Sequence, residues 1–183
     1  MSEQKLAGKV ALVTGSARNI GRAIAHHLAD DGADIVVNGV SDKDAVDTVV
    51  KEIQDKGRNA IGCMFDVTDA DAVKAAAKRA KDELGGIDIL VVNASARGQV
   101  PFLEMTFEQF HDVVDISIDG TFHLAQACIP TMQEKGWGRI VTTLIMVRGL
   151  SLHSPQLPQP VLAHLILCRL AVAGSTRCSR CGC

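Results

Sequence analysis

Between Lys9 and Thr143, five short apolar runs alternate with longer stretches whose apolar residues recur at helical spacing. The first run, Val10-Ala11-Leu12-Val13, has no polar residue, which marks a strand buried on both faces. Further strands are expected over 34–38, 59–65, 87–92 and 138–143. A helix is expected over 19–31, with Ile20, Ala23, Ile24, His27 and Leu28 on its apolar side and Gly32 as its stop. Ser41 can cap a second helix to about Lys56, with Ala45, Val49 and Ile53 at successive turns and Gly57 beyond them. Thr68 or Asp69 caps a third, which carries Ala72, Val73, Ala76, Ala77, Ala80 and Leu84 and stops at Gly85-Gly86. A short helix over 106–113 and a long one over 114–134 complete the series. Strands alternating with helices of this length imply right-handed βαβ crossovers and a three-layer α/β architecture with a doubly wound parallel sheet.

The charge distribution breaks at Thr143. Residues 1–143 hold all 21 acidic residues and sum to −6, whereas residues 144–183 hold four arginines, no acid and no lysine. The second segment also carries four of the six cysteines and three of the five prolines. The sequence therefore divides into a folded domain, 1–143, and an atypical tail, 144–183. Within the tail, 163–173 could form an apolar helix or strand, and 174–183 is expected to be loose or disordered. Two origins fit the break: out-of-frame translation of GC-rich DNA, or a genuine divergent C-terminus. No apolar run reaches the roughly 18 residues that span a bilayer, and residues 1–9 lack a signal-peptide core. A cytoplasmic location is expected, with no nucleic-acid or membrane partner.

Thr14-Gly15-Ser16-Ala17-Arg18-Asn19-Ile20-Gly21 joins the first strand to the first helix. Glycines let a backbone turn tightly and approach an anion, and the helix that follows presents unpaired N–H groups and a positive dipole end. This placement suits a dinucleotide phosphate; without a ligand it is a tight turn. The stretch resembles the Thr-Gly-x-x-x-Gly-x-Gly loop of the short-chain dehydrogenase/reductase family. Asp66-Val67, Val92-Asn93-Ala94-Ser95 and Gly138-Arg139-Ile140-Val141 follow in the family's order. The likeness covers about residues 5–143 and is nearest to the 3-oxoacyl-acyl-carrier-protein reductase branch. It implies a Rossmann-type fold and reversible hydride exchange between a nicotinamide cofactor and a small-molecule carbonyl or alcohol. Asn19 stands where the family has its middle glycine; Asn is the residue other than glycine that best tolerates a left-handed backbone. Ser95 replaces the glycine, and Val92 the first Asn, of the family's Asn-Asn-Ala-Gly stretch.

By this resemblance Gly15, Ser16, Arg18, Asn19, Ile20, Gly21, Asp66, Val67, Asn93, Ala94 and Ser95 form the cofactor site. Asp66 would accept from the adenine amino group, or it caps the next turn. Asn93, Ala94 and Ser95 would line the path of the ribose nearest the nicotinamide, or form an ordinary strand-end turn. The end of the second strand, Asn38-Gly39-Val40, lacks the acid that accepts ribose hydroxyls of NAD. Arg18 could pair with a 2′-phosphate, or be a solvated surface charge. NADP(H) is favoured over NAD(H).

The family's reaction uses a Ser to hold the carbonyl, a Tyr to donate the proton, a Lys to lower the tyrosine pKa, and an Asn on the long helix. This sequence has no tyrosine, and no lysine follows Lys135. Ser117 stands at the family's Asn position, Leu144 and Ile145 at its Ser-Ser, and the region of Pro158 holds no phenol. Arg169 is no simple substitute for the lysine. No intact catalytic set is found, so the alternatives are an inactive reductase, a non-catalytic dinucleotide-binding module, or a poorly folding product. Family members are often homo-oligomers through the long helix and its successor. Cys168, Cys178, Cys181 and Cys183 with His164 match no closed zinc pattern, and no metal site is expected. His26 and His27 are adjacent on one helix, read as surface or boundary residues, and Trp137 is read as packing.

Overall fold

The computed structural model describes residues 4–95, 100 and 102–143 and the backbone strand Leu170–Ala171. The expectations for Leu144, Ile145, Pro158, Arg169 and the tail cysteines lie outside the described residues. Five parallel strands, β1 (Val10–Val13), β2 (Asp34–Gly39), β3 (Ala60–Met64), β4 (Ile89–Val92) and β5 (Arg139–Thr142), lie in the order β3-β2-β1-β4-β5. A two-residue strand, β6 (Leu170–Ala171), pairs antiparallel with β5.

The period of two along each strand divides the core into two layers. Ala11, Val13, Ile35, Val37, Ile89 and Val91 face α1 (Asn19–Asp30) and α2 (Lys43–Asp55) through Ala25, Ala29, Val46, Val49 and Ile53. Val10, Leu12, Val36, Leu90 and Val92 face α3 (Ala70–Leu84) and α5 (Gly120–Glu134) through Val73, Ala76, Ala80, Leu124, Cys128 and Met132. Full burial of each larger aliphatic side chain contributes about 1.5–3 kcal/mol. The three-layer fold expected from the sequence is the one found.

Two local readings change, and one stated alternative is decided. Asp42, not Ser41, is the N-cap of α2, because its carboxylate accepts from Ala45 N at 3.0 Å. Asp69, not Thr68, caps α3, accepting from the backbone N–H of Asp71 and Ala72. The two expected helices over 106–134 form one continuous rod: α4 (Phe107–Val114), a π-helical turn (Asp115–Asp119), then α5. Val114, Asp115, Asp119 and Gly120 all keep right-handed helical backbone, so nothing interrupts the rod.

β4 begins at Ile89 rather than 87. Asp88, 1% exposed, stands just before it as a buried brace. Its carboxylate accepts from Val10 N at 2.9 Å and from Lys135 Nζ at 3.0 and 3.1 Å. Lys135 also donates to Gly86 O at 3.1 Å, which ties the end of α5 to the lower edge of the sheet. A carboxylate this deep is tolerated because each of its oxygens has a charged or N–H partner.

Candidate dinucleotide cleft

The C-terminal ends of β1, β2 and β4 open into a cleft of about 530 Å³. In a doubly wound sheet the connections from β1 leave in opposite directions, and ligands bind in the crevice created there. Here α1 connects β1 outward to β2, while β4 takes up the chain on the other side of β1.

The strand ends are stitched together by side chains. Thr14 Oγ1 accepts from the backbone N–H of Asn93 (2.9 Å) and Ala94 (3.0 Å), joining β1 to β4. Asn93 Nδ2 returns the contact to Thr14 O at 3.0 Å. On the other side, Asn38 Oδ1 accepts from Gly15 N at 3.0 Å, while its Nδ2 donates to Phe65 O at 3.0 Å and Cys63 O at 3.4 Å. Ser16 Oγ accepts from Asn38 N at 3.0 Å. The glycine loop is therefore pinned to three strands.

Within the loop, Gly15 has φ +62° and Asn19 φ +51°, both in the left-handed region. Asn19 adopts the conformation that its place in the loop demands. A Cβ on Gly21 would lie 2.3 Å from Gly15 O and 2.6 Å from Asn93 Nδ2, so only glycine lets α1 begin this close to β1 and β4. Arg18 is the N-cap of α1 and makes no side-chain cap, so the first-turn N–H groups remain available at the cleft. Asn93 Oδ1 is buried and has no hydrogen-bond partner among the described residues. An unpaired buried acceptor costs about 1–3 kcal/mol, and it lies among the residues that line the cleft. These features fit a group that carries phosphate and donor hydroxyls.

Of the residues expected at the site, Gly15, Arg18, Asn19, Ile20, Gly21, Asn93, Ala94 and Ser95 line the cleft together. Ser16 is fully buried beneath it, bonded to Asn38. Asp66 and Val67 lie outside the lining. Asp66 Oδ1 accepts from Thr68 N (2.9 Å) and Thr68 Oγ1 (2.8 Å), which is the turn-capping geometry. Val67 is buried against α5, where a Cβ on Gly120 would come within 2.7 Å of Val67 Cγ2. Ser117 falls inside the π turn, and its carbonyl accepts from Thr121 Oγ1. The sequence reading passed over the structural role of Asn38. A lone polar residue ending the run Ile35-Val36-Val37 was the available sign of it.

The model of the short chain dehydrogenase family matches residues 9–148. The chain belongs to the short-chain dehydrogenase/reductase family. It is 38% identical over 147 residues to a 2-dehydro-3-deoxy-D-gluconate 5-dehydrogenase of Formosa agariphila, covering 80% of this chain and 56% of that protein. It is 32% identical over 169 residues to a 3-oxoacyl-acyl-carrier-protein reductase of Staphylococcus aureus, covering 92% and 66%. Among solved structures, a 7α-hydroxysteroid dehydrogenase complexed with NADH and 7-oxo glycochenodeoxycholic acid superposes with a TM-score of 0.73. The two are 38% identical, with 79% of this chain and 56% of that one covered. The chain thus spans 56–66% of the length of these curated family relatives. Among the described residues, no helix is long and apolar enough to cross a membrane.

Proposed function

We propose that the cleft binds a nicotinamide dinucleotide, NADP(H) in preference to NAD(H), and that this chain does so without completing the family's carbonyl–alcohol chemistry. The observation that carries the reading is the glycine loop. Gly15, Asn19 and Gly21 bring backbone and the α1 N-terminus to the cleft. The α1 N–H groups would hold the pyrophosphate, and Asn93, Ala94 and Ser95 would flank the nicotinamide ribose. Asn93 Oδ1 would accept from a ribose hydroxyl. When bound, the cofactor gives or takes a hydride.

Three observations support the preference for the 2′-phosphate. Gly39 lies at the end of β2, where the acid of an NAD site would stand, and a Cβ there would meet Val46 Cγ2 at 2.6 Å. The nearest acid, Asp42, has its carboxylate engaged at the α2 cap. Arg18 stands exposed at the rim, offering a forked cation suited to phosphate. Asp66 and Val67 bind adenine only through groups left over from turn capping and packing.

The absence of turnover rests on residue identity. The alkoxide formed by hydride transfer needs a proton, and the sequence provides neither Tyr nor any Lys after Lys135. Lys135 itself is committed to Asp88 and Gly86 at the opposite edge of the sheet. Residues 1–143 are assigned as the dinucleotide-binding domain, with the change of character at Thr143. The test is a thermal melt with NADPH or NADH, followed by a carbonyl-dependent oxidation assay. NADPH at about 100 times its Kd should add about 2.7 kcal/mol of stability, and NADH should require a higher concentration. No stabilisation by either nucleotide would overturn the binding reading. Carbonyl-dependent NADPH consumption by the purified chain would overturn the inactive one.

A further inference from the structure

Asn19, the first residue of α1, has φ +51°, and among the described residues no other non-glycine residue has a positive φ. A left-handed backbone is uncommon outside glycine and is kept where the surroundings or the function demand it. Asparagine commonly reaches it by bonding its own amide to nearby backbone. Here the side-chain bonds that pin the loop run through Ser16, Asn38 and Asn93, and among the described residues the Asn19 amide takes part in none of them. Asn19 is exposed and lines the cleft. Its amide is therefore a polar group at the cleft whose bonds are left to solvent or to a ligand.

The electrostatics around it favour an anion. The first helical bond of α1 runs from Arg22 N to Arg18 O at 3.2 Å, so the N–H groups of Asn19, Ile20 and Gly21 have no partner within the helix. Asp42 and Asp69 close the N-termini of α2 and α3 with a carboxylate, whereas the N-cap of α1, Arg18, offers none, and no acid stands in its first turn. In the same cleft Asn93 is 8% exposed and its Oδ1 has no partner among the described residues, an independent sign that a group from outside completes the site. A carboxamide next to the open N–H groups can turn its Nδ2 toward an anion and its Oδ1 toward water. A glycine there supplies the backbone shape alone.

We infer that the Asn19 carboxamide is itself a phosphate ligand, its Nδ2 donating to the pyrophosphate of the bound dinucleotide. The inference rests on the dinucleotide reading of the cleft. It is tested in the full chain by titrating NADPH and NADH into the natural protein and two variants. Asn19→Gly takes φ +51° without strain and removes only the amide. It should bind both nucleotides about tenfold more weakly, the loss of one charge-assisted hydrogen bond. The factor should be the same for the two, since both carry the pyrophosphate. Asn19→Asp keeps the side-chain shape and also tolerates the turn, but it sets a carboxylate against the phosphates. It should bind at least about tenfold more weakly than Asn19→Gly, and that gap should narrow near 1 M salt, where the Debye length falls to about 3 Å. Asn19→Gly binding as tightly as the natural chain, or more tightly, would overturn the inference, because Asn19 would then serve the turn alone. Asn19→Asp binding as tightly as Asn19→Gly would overturn it as well, by showing that no phosphate lies beside position 19. A loss confined to NADPH would overturn it by placing the amide at the 2′-phosphate. If the natural chain bound neither nucleotide, the dinucleotide reading itself would fall, and this inference with it.

Discussion

Replacing Gly21 by alanine sets two effects of opposite sign against each other. Gly21 is the third residue of α1, and alanine in a helix interior is favoured over glycine by about 1 kcal/mol. The new methyl, however, would sit 2.3 Å from Gly15 O, 2.6 Å from Asn93 Nδ2 and 2.9 Å from the Gly15 carbonyl carbon. The nearest of these is backbone, held by the Gly15 N–H bond to Asn38 and by the left-handed φ of Gly15. It cannot swing aside as a flexible side chain would. Overpacking of this kind costs about 1–3 kcal/mol, so after the propensity gain is subtracted Gly21→Ala should lose up to about 2 kcal/mol. Urea titration should show a lower midpoint at unchanged slope, and Tm should fall by about 2–4 °C for each kcal/mol. Because the displaced atoms belong to the phosphate loop, NADPH should bind at least about tenfold more weakly, the equivalent of 1.4 kcal/mol. A stabilised variant would show that the close approach does not exist. A destabilised variant with unchanged NADPH affinity would show that the loop is not where the nucleotide sits.

Lys135→Met should cost about 3–5 kcal/mol by stranding the Asp88 carboxylate in the core, whereas an exposed pair such as Lys43–Asp47 should cost under about 1 kcal/mol; denaturant melts compare them. Arg18→Ala should weaken NADPH binding while leaving NADH binding within about twofold, read by titration, since only a 2′-phosphate needs the guanidinium. Asn38→Leu should lose about 1–3 kcal/mol and also weaken both nucleotides, because Gly15 N, Cys63 O and Phe65 O lose a partner inside the fold. Burial pushes the Cys128 thiol up to about 12 from 9.0. Its pKa is raised in the folded state, so the associated stability is complete below pH 9 and declines between pH 9 and 12, at about 1.4 kcal/mol per pH unit. Cys128→Ala should flatten that part of the stability–pH curve, and alkylation of Cys128 near pH 8 should track global unfolding.

Much of this fold can be read from local pattern. Uniformly apolar runs mark the strands, glycines such as Gly32 and Gly85 mark the helix ends, and a Gly-rich loop after the first strand marks the cleft. The conformation of the glycine loop was equally legible, because Gly15, Asn19 and Gly21 are required by backbone angle and space. What escaped the sequence is what depends on contacts distant along the chain. Asn38 reads as a strand terminus, but its amide spans from Gly15 to Phe65. Asp66 could serve adenine or a turn, and the choice of Thr68 as its partner rests on three-dimensional geometry. Ser41 and Asp42 are both good caps, and only the direction of the chain into α2 selects Asp42. The π turn is invisible to an analysis based on a 3.6-residue period, since a wider turn shifts the apolar phase without removing it.

That wider turn makes α4 and α5 separately adjustable. A π turn holds one residue more than the helix on either side requires, and each residue of an α-helix advances the face by about 100°. Loss of one residue within Asp115–Asp119 would return the rod to a plain α-helix, leaving Leu124, Cys128 and Met132 seated on the sheet. The Phe107–Phe110 side would then rotate by about a quarter turn relative to them. The extra residue thus works as a phase setting between a helix fixed by the core and one that contributes no buried residue to it, so the Phe107–Phe110 side could be re-aimed without altering the core.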